Sequence, residues 1–133
     1  MLLSGWGGLS SVDLPETISP IDAVPHDALF PQMAAVVHHG GAGTTAAGLR
    51  AGMPSIVIPC IGDQPFWGER VYRLGVGPKP IPRSRLSVEG LAAALRTATI
   101  DPEMRARAAA LGAQIRAEDG VARAVEAVQR SLS

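Results

Sequence analysis

Short apolar segments alternate along the chain with longer segments whose apolar residues recur at helical spacing. The short segments have the length of buried strands, and the longer ones have the period of helices that pack on a sheet. This alternation is typical of a Rossmann-like α/β fold, in which helices cover both faces of a parallel sheet. The predicted strands cover 1–4, 17–24, 34–39, 56–59 and an edge segment at 77–81, and the predicted helices between them cover 26–33, 42–51 and 64–74.

Three further helices are predicted in the C-terminal part of the chain. Ser87 and Asp101 have side chains suited to an N-cap, and Pro102 suits the first turn of a helix. The third of these helices has an apolar stripe at helical spacing, which we expect to contact the core. The stripe consists of Val121, Val125, Val128 and Leu132.

Composition narrows the classes of function. At 133 residues the chain has the size of one domain, 1–133, and its 12 basic and 12 acidic residues give no net charge, so nothing indicates a nucleic-acid partner. No apolar run approaches the ~20 residues of a membrane span, and no signal peptide is visible. The single cysteine, Cys60, cannot form an internal disulfide and is predicted to be a small packed residue.

The most informative segment, His-His-Gly-Gly-Ala-Gly-Thr-Thr at 38–45, joins a predicted strand to a predicted helix. Glycines let a ligand approach the backbone closely, and the amide N–H groups at a helix start form an anion site. The two imidazoles and two threonine hydroxyls of this segment add hydrogen-bond donors suited to phosphate, so the segment predicts a diphosphate site. Strand alternation points His38 and His39 in opposite directions, and His38 is predicted to be the packed, hydrogen-bonded one.

A second polar segment follows the next strand and contains Asp63 and Gln64. Ligands of parallel α/β sheets lie beyond the carboxyl ends of the strands, so we expect this pair at the same edge as His39, one strand over. A carboxylate and an amide together offer acceptors and donors for vicinal hydroxyls. A phosphate site beside a polyol site indicates a nucleotide sugar. For Phe66 and Trp67, packing of the site wall is favoured over stacking on a sugar.

A dinucleotide site is the rival interpretation of the same residues. The segment 41–46 fits G-x-G-x-x-A, and Asp63 follows about twenty residues later. However, two strand-like segments precede the turn, whereas the dinucleotide motif opens its domain. The double histidine before the turn and the Gln-Pro-Phe-Trp run after Asp63 also belong to a sugar-nucleotide pattern. An NAD site is therefore less favoured.

The run 38–68 closely resembles the donor-binding half of the GT-B glycosyltransferases that use UDP-sugars, most of all the sterol glucosyltransferase group and its bacterial relatives. With 25–31 and 75–82, the resemblance covers nearly the whole chain. It implies which residues contact each part of a UDP-sugar. These are His39, Gly41, Ala42, Gly43 and Thr44 for the diphosphate, Asp63 and Gln64 for the sugar, and Val24, Pro25 and His26 for the uracil pocket.

Two positions keep alternatives open. Plant-type relatives of this superfamily carry a glutamate for the ribose hydroxyls where this chain has Ala47, although the sterol-type group shares the small residue. The ribose contact is therefore left unassigned. His26 opens a predicted helix, where a capping role is as well supported as a ligand contact.

The resemblance implies an inverting transferase that moves a hexose, with glucose favoured, from a UDP-sugar to a hydroxyl of a lipophilic acceptor such as a sterol. The UDP-sugar is a substrate, and no metal or other cofactor is expected. The resemblance also places the catalytic base and the acceptor pocket on an N-terminal domain that this sequence lacks, so no catalytic residue is assigned. The chain alone is expected to bind the UDP-sugar without transferring it.

The alternative function is a stand-alone nucleotide-binding or interaction domain without transferase activity. The resemblance and the alanine- and arginine-rich composition together favour a bacterial cytoplasmic setting.

The start of the chain departs from the resemblance, because relatives of this half-domain begin with a further strand, a glycine-rich loop and a helix. In their sheet order that strand lies between the strands predicted here at 1–4 and 34–39. Its loss leaves unpaired strand edges. We expect closure by direct pairing of these two strands, by strand exchange in a homo-oligomer, or by a separate piece of protein. The role of Trp6, on the loop that follows, is left open.

Overall fold

The computed structural model describes residues 1–3, 13–21 and 23–132, so the loop that contains Trp6 lies outside the described residues. The described ranges contain four short strands and six α-helices, with 3-10 turns at Phe30–Gln32 and Arg83–Arg85. The strands are β1 (Leu2–Leu3), β2 (Pro20–Ile21), β3 (Val36–His38) and β4 (Ser55–Val57). The helices are α1 (His26–Leu29), α2 (Ala42–Ala51), α3 (Gln64–Arg73), α4 (Val88–Ile100), α5 (Pro102–Ala117) and α6 (Gly120–Ser131).

The strands are parallel, as predicted, but they form two separate pairs. β1 lies beside β2, with Leu2 opposite Pro20, and β3 lies beside β4, with Val36 opposite Ser55. Direct pairing of the first strand with the strand before the glycine turn is therefore wrong for the described residues, in which β1 pairs with β2 alone and β3 with β4 alone. Closure by exchange with another copy, or by a separate piece of protein, stays a prediction.

The predicted edge strand at 77–81 follows β4 without becoming a regular strand. The Ser55 N–H donates to the Val76 carbonyl at 3.0 Å, and the Ile81 N–H donates to the Val57 carbonyl at 3.0 Å. Between these two bonds the segment contains Pro78 and Pro80, which have no N–H to donate. The prolines therefore interrupt the ladder that the apolar pattern suggested.

Helices cover both faces of the β3–β4 pair, as predicted. The two adjacent β4 residues Ile56 and Val57 point to opposite faces and are only 0% and 1% exposed. Ile56 packs against α4 through Ala98, whereas Val57 packs against α3 and α5 through Val71 and Ala108. β4 is thus the centre of the core, and the loop that leaves it toward α3 starts from a fixed position.

α5 holds the C-terminal end of α2. α2 ends at Ala51, and its C-cap residue Gly52 has a φ of 75°, in the left-handed region. A methyl group on Gly112 of α5 would lie 2.6 Å from the Cα of Gly52 and 2.9 Å from the carbonyl oxygen of Leu49. The guanidinium of Arg116 donates a hydrogen bond to the carbonyl of Arg50. Two helix backbones are therefore in direct contact, which sets the direction in which α2 points its N-terminus.

The predicted N-caps of α4 and α5 are confirmed. Ser87 Oγ accepts a hydrogen bond from the Gly90 N–H at 3.1 Å. Asp101 Oδ1 accepts from the N–H groups of Glu103 and Met104 at 2.9 and 3.1 Å. Each cap satisfies amides at the helix start that have no partner within the helix.

α6 contradicts the prediction that its apolar stripe contacts the core. The helix has no buried residue, and its stripe is exposed in the described chain. A helical period identifies an apolar face but does not say what covers it. The exposed fractions are 77% for Val121, 49% for Val125, 58% for Val128 and 83% for Leu132.

His38 ends β3 and supports the glycine turn from the protein interior. Its Nδ1 accepts a hydrogen bond from the Gly40 N–H at 3.0 Å, and its buried Nε2 has no partner among the described residues. Burial, together with the nearby charges of His39 and His26, lowers the pKa of His38 from 6.5 to about 4. His38 is therefore the packed histidine, as predicted, and it is neutral in the folded chain.

We expect acid to destabilise the fold through His38 between pH 6.5 and about 4. The unfolded chain takes up a proton on this side chain near pH 6.5 whereas the folded chain does not, so the free energy of unfolding falls by up to about 3 kcal/mol as the pH drops through this window. Above pH 6.5 His38 is neutral in both the folded and the unfolded chain, so it adds no pH dependence to the free energy of unfolding. Urea unfolding at several pH values, compared with the His38→Asn variant, measures the effect. An identical pH dependence in both chains would contradict this assignment.

We expect Gly112→Ala to lower the free energy of unfolding by about 1–3 kcal/mol, because the added methyl meets backbone that cannot move aside cheaply. Gly120→Ala, at the start of α6, is the matched control, since a Cβ there meets nothing within 4 Å. Its effect should stay within about 0.5 kcal/mol. Urea unfolding compares the two variants, and equal stability would disprove the close contact between α5 and α2.

Candidate functional site

The glycine turn after β3 packs directly on β4 and on the start of α3. Gly40 has a φ of 90°, in the left-handed region. A Cβ at this position would lie 2.6 Å from Val57 Cγ1, 3.0 Å from the Gln64 carbonyl oxygen and 3.5 Å from Gln64 Cβ. The structure therefore brings the predicted phosphate segment and the predicted sugar segment together at one edge of the β3–β4 pair.

α2 begins at this turn without a side-chain cap. Gly41 is its N-cap residue, and the first hydrogen bond of the helix runs from the Thr45 N–H to the Gly41 carbonyl at 2.9 Å. The amides of Ala42, Gly43 and Thr44 precede that bond and have no partner within the helix. Side chains cap α4, α5 and α6, in contrast. Open amides and the positive end of the helix dipole make the start of α2 suited to an anion.

His39 lies over the start of α2. A Cβ on Gly41 would lie 2.5 Å from His39 Nε2 and 3.3 Å from its Cε1, so the imidazole covers the Cα of Gly41. His39 is exposed, whereas His38 points inward and is half-buried. The predicted opposite orientation of the two histidines is confirmed, and one imidazole joins the open amides as a further polar group.

Two of the four side chains expected to serve a phosphate are turned inward. Thr45 is only 1% exposed, and its Oγ1 is buried without a partner among the described residues. His38 uses Nδ1 to accept from the Gly40 amide. Thr44 is half-buried, and His39 is exposed. The expectation of a phosphate donor therefore fails for Thr45, whose helix position faces the core, whereas the inward position of His38 is the one predicted for it.

Asp63 and Gln64 each accept hydrogen bonds from groups of this chain through one side-chain oxygen. Asp63 Oδ2 accepts from the Trp67 indole N–H at 2.8 Å. Gln64 Oε1 accepts from the N–H groups of Cys60 and Ile61 at 2.8 and 3.0 Å. The sequence pattern had singled out the pair but not these bonds. The only signal was the four-residue spacing of Asp63 and Trp67, which places two side chains on one helix face.

Two neighbours of this pair contradict the expectations made for them. Phe66 is 62% exposed rather than packed, and its ring meets the edge of Trp67 at a centroid distance of 5.1 Å. Cys60 is exposed rather than packed, with Sγ 3.7 Å from the Ile58 carbonyl oxygen. β4 ends at Val57, so strand alternation no longer governs burial when the chain reaches Cys60.

The predicted uracil segment lies beside α2. Val24 packs against a small core cluster that also contacts Ala47 of α2. The His26 ring stacks on Phe30 with a centroid distance of 4.5 Å and an interplanar angle of 13°. A capping role for His26 is wrong, because α1 begins at His26 itself with Pro25 as its N-cap residue and with no side-chain cap.

Ala47, the position where the ribose contact was left unassigned, borders a groove of about 370 Å³. Asp27 contributes the carboxylate of this groove, and nothing in the sequence pattern had pointed to it. Its only hydrogen bond among the described contacts is a local one, accepted from the Ala28 N–H at 3.1 Å. The groove is lined by Asp27, Pro31, Ala47, Arg50, Ala51 and Arg116.

Metal ligands do not gather anywhere in the described ranges, which contain no group of three or more His, Cys, Asp or Glu side chains placed to hold an ion. Among the described helices, none combines the length and the apolar character needed to cross a bilayer.

Residues 8–130 match the family model of the erythromycin biosynthesis protein CIII-like C-terminal domain. The chain is 50% identical over 130 residues to sterol 3-beta-glucosyltransferase UGT80B1 of Arabidopsis thaliana, which covers 96% of this chain and 21% of that protein. It is 53% identical over 123 residues to the sterol 3-beta-glucosyltransferase of Aspergillus terreus, covering 92% of this chain and 9% of that protein. The chain thus spans about a fifth or less of these relatives.

Two solved structures show the same fold. The glycotransferase of kitacinnamycin superposes with a TM-score of 0.82 at 31% identity, over 92% of this chain and 32% of its own. Glycosyltransferase VinC, solved in complex with dTDP, superposes with a TM-score of 0.78 at 30% identity, over 89% of this chain and 30% of its own. These matches favour the sugar-nucleotide interpretation over the dinucleotide one. The chain has the fold of the C-terminal half of the GT-B glycosyltransferases and belongs to the erythromycin biosynthesis protein CIII-like C-terminal domain family.

Proposed function

We propose that this chain binds the nucleotide-sugar substrate of a glycosyltransferase. The observation that carries the proposal is the contact between Gly40 and Gln64, which sets the open start of α2 beside the Asp63–Gln64 pair. The amides at 41–44 and the imidazole of His39 bind the diphosphate. Asp63 and Gln64 bind hydroxyls of the sugar. Val24, Pro25 and His26 line the pocket for the base, and Val24 packs on the same core cluster as Ala47 of α2.

The proposed diphosphate contacts also give these residues a role in transfer by a whole enzyme. The acceptor oxygen forms a bond to the anomeric carbon while the bond from that carbon to the diphosphate oxygen breaks, with inversion, and a base takes the acceptor's proton. Negative charge builds up on the departing diphosphate. The amides at the start of α2 and the His39 imidazole stabilise that charge and are already oriented before the reaction, so they need no reorganisation.

The names of the relatives support glucose as the sugar and a sterol as the acceptor. Because the chain spans about a fifth or less of those proteins, we propose this activity for a whole enzyme, with the base and the acceptor pocket outside the present residues. This chain alone binds the UDP-sugar without transferring it, and it needs no metal. The relatives named above come from a plant and a fungus, and the bacterial cytoplasmic setting stays a prediction.

A titration of the chain with UDP, followed by two-dimensional amide NMR, tests the proposed function. We expect shifts concentrated in the amides of 41–44, because these N–H groups meet the diphosphate. A parallel titration with dTDP shows whether the pocket distinguishes the two nucleosides, since VinC was solved with dTDP. A folded chain whose amides respond to neither nucleotide would overturn the proposal.

His39→Ala should weaken UDP binding by about tenfold, since it removes one hydrogen bond to a charged group. Isothermal titration calorimetry or the NMR titration measures the change. Gln114→Ala is the control, because Gln114 is exposed on α5, two residues after Gly112, which contacts the C-terminal end of α2 rather than its open start. An unchanged affinity in the His39 variant would remove this side chain from the diphosphate site.

Asp63→Asn should weaken binding of UDP-glucose by about tenfold and leave UDP affinity within about twofold, because the carboxylate contacts only the sugar. The two dissociation constants are measured on the same protein preparation, so errors in active concentration cancel in their ratio. An equal loss for both ligands would show that Asp63 has no role specific to the sugar.

A further inference from the structure

Trp67 restrains the carboxylate of Asp63. Asp63 is exposed and immediately precedes α3, a place where an aspartate side chain would otherwise choose among several rotamers. The Trp67 indole N–H binds its Oδ2 at 2.8 Å. A charge-assisted hydrogen bond of this length holds one carboxylate oxygen and so directs the other, Oδ1, away from the indole.

Trp67 can act in this way because its own position is set by packing. The next residue, Gly68, is buried, and a Cβ there would lie 2.9 Å from Pro80 Cβ and 3.2 Å from Val57 Cγ1. α3 therefore lies against β4 at this point, with the backbone beside Trp67 held by the core. The indole is half-buried, and the Phe66 ring contacts it edge to face.

Hydrogen bonds within the chain also fix the orientation of the Gln64 side chain. Its Oε1 accepts two hydrogen bonds at once, from the N–H groups of Cys60 and Ile61 at 2.8 and 3.0 Å. These bonds decide which end of the amide faces the loop, so the Nε2 group points away from it as a hydrogen-bond donor. After the internal bonds are made, Asp63 Oδ1 remains available as an acceptor and Gln64 Nε2 remains available as a donor.

We propose that Trp67 is a positioning residue for the sugar of the nucleotide-sugar substrate. By holding Asp63 it keeps an acceptor beside the Gln64 donor, a combination that fits two neighbouring hydroxyls of a hexose, one donating and the other accepting. The proposal rests on the proposed function, because it assigns Trp67 a role in the same site. Trp67 itself does not touch the sugar.

Trp67→Phe tests this role, because phenylalanine keeps an aromatic ring and lacks the N–H group. We expect UDP-glucose to bind about five- to tenfold more weakly, while UDP affinity stays within about twofold. Tyr72→Phe is the control, since it changes an exposed aromatic residue of the same helix and leaves the bond to Asp63 intact. Its ratio of UDP-glucose to UDP affinity should equal that of the unmodified chain.

The indole N–H signal of Trp67 gives a second readout in the same NMR spectra, and its disappearance in Trp67→Phe identifies it. In the unmodified chain we expect this signal to move on addition of UDP-glucose and to stay in place on addition of UDP. In Asp63→Asn the difference between the two ligands should vanish, because the connection from the sugar to the indole runs through the carboxylate. A role of Trp67 in packing alone would not produce this pattern.

The outcomes separate the two proposals. If the unmodified, folded chain binds neither UDP nor UDP-glucose, the proposed function fails. If it binds UDP-glucose more tightly than UDP and Trp67→Phe preserves that ratio, the proposed function stands and the positioning role of Trp67 is wrong. A selective loss of UDP-glucose affinity in Trp67→Phe, with the control unchanged, supports both.

Discussion

The candidate site depends on the close approach of Gly40 to β4 and to the start of α3. A side chain at this position would collide with Val57 and with the backbone of Gln64, and the left-handed φ of Gly40 is itself costly for other residues. Without the contact, the open helix start and the Asp63–Gln64 pair would move apart. The spacing of the site is therefore a property of packed backbone, and the side chains that meet a ligand are added to a geometry already determined.

Much of the fold follows from local sequence pattern, and the failures have definite physical causes. α2 has the predicted limits, 42–51, because glycines lie on both sides of a helical run. The segment 77–81 was expected to be a strand, but its prolines cannot complete a ladder. α6 was expected to contact the core and does not. Helical periodicity identifies an apolar face but does not show what covers it. The prediction that β1 pairs directly with β3 was wrong, because the tertiary packing decides which strands become neighbours and the local sequence pattern does not show it.

The site shows the same limit at the level of single side chains. The chain order of strands and turns was enough to predict that His39 and Asp63 lie at one edge. It was not enough to predict that Thr45 turns inward while Thr44 stays half-buried, or that Trp67 binds the carboxylate of Asp63. Those outcomes depend on helix phase and on rotamers chosen in the packed molecule, which motif spacing does not specify. Asp27 went unnoticed because only the packing of α1 beside α2 shows that it borders a groove.

The contact of α5 with the C-terminal end of α2 can influence the candidate site at the other end of that helix. α2 is a rigid rod about 15 Å long, with its ligand-facing amides at one end and the Gly52–Gly112 contact at the other. A change in the spacing of the two helices at the glycine pair tilts the rod and displaces its open amides. Substitutions on α5 can therefore change affinity at the proposed nucleotide site while every residue assigned to that site stays the same.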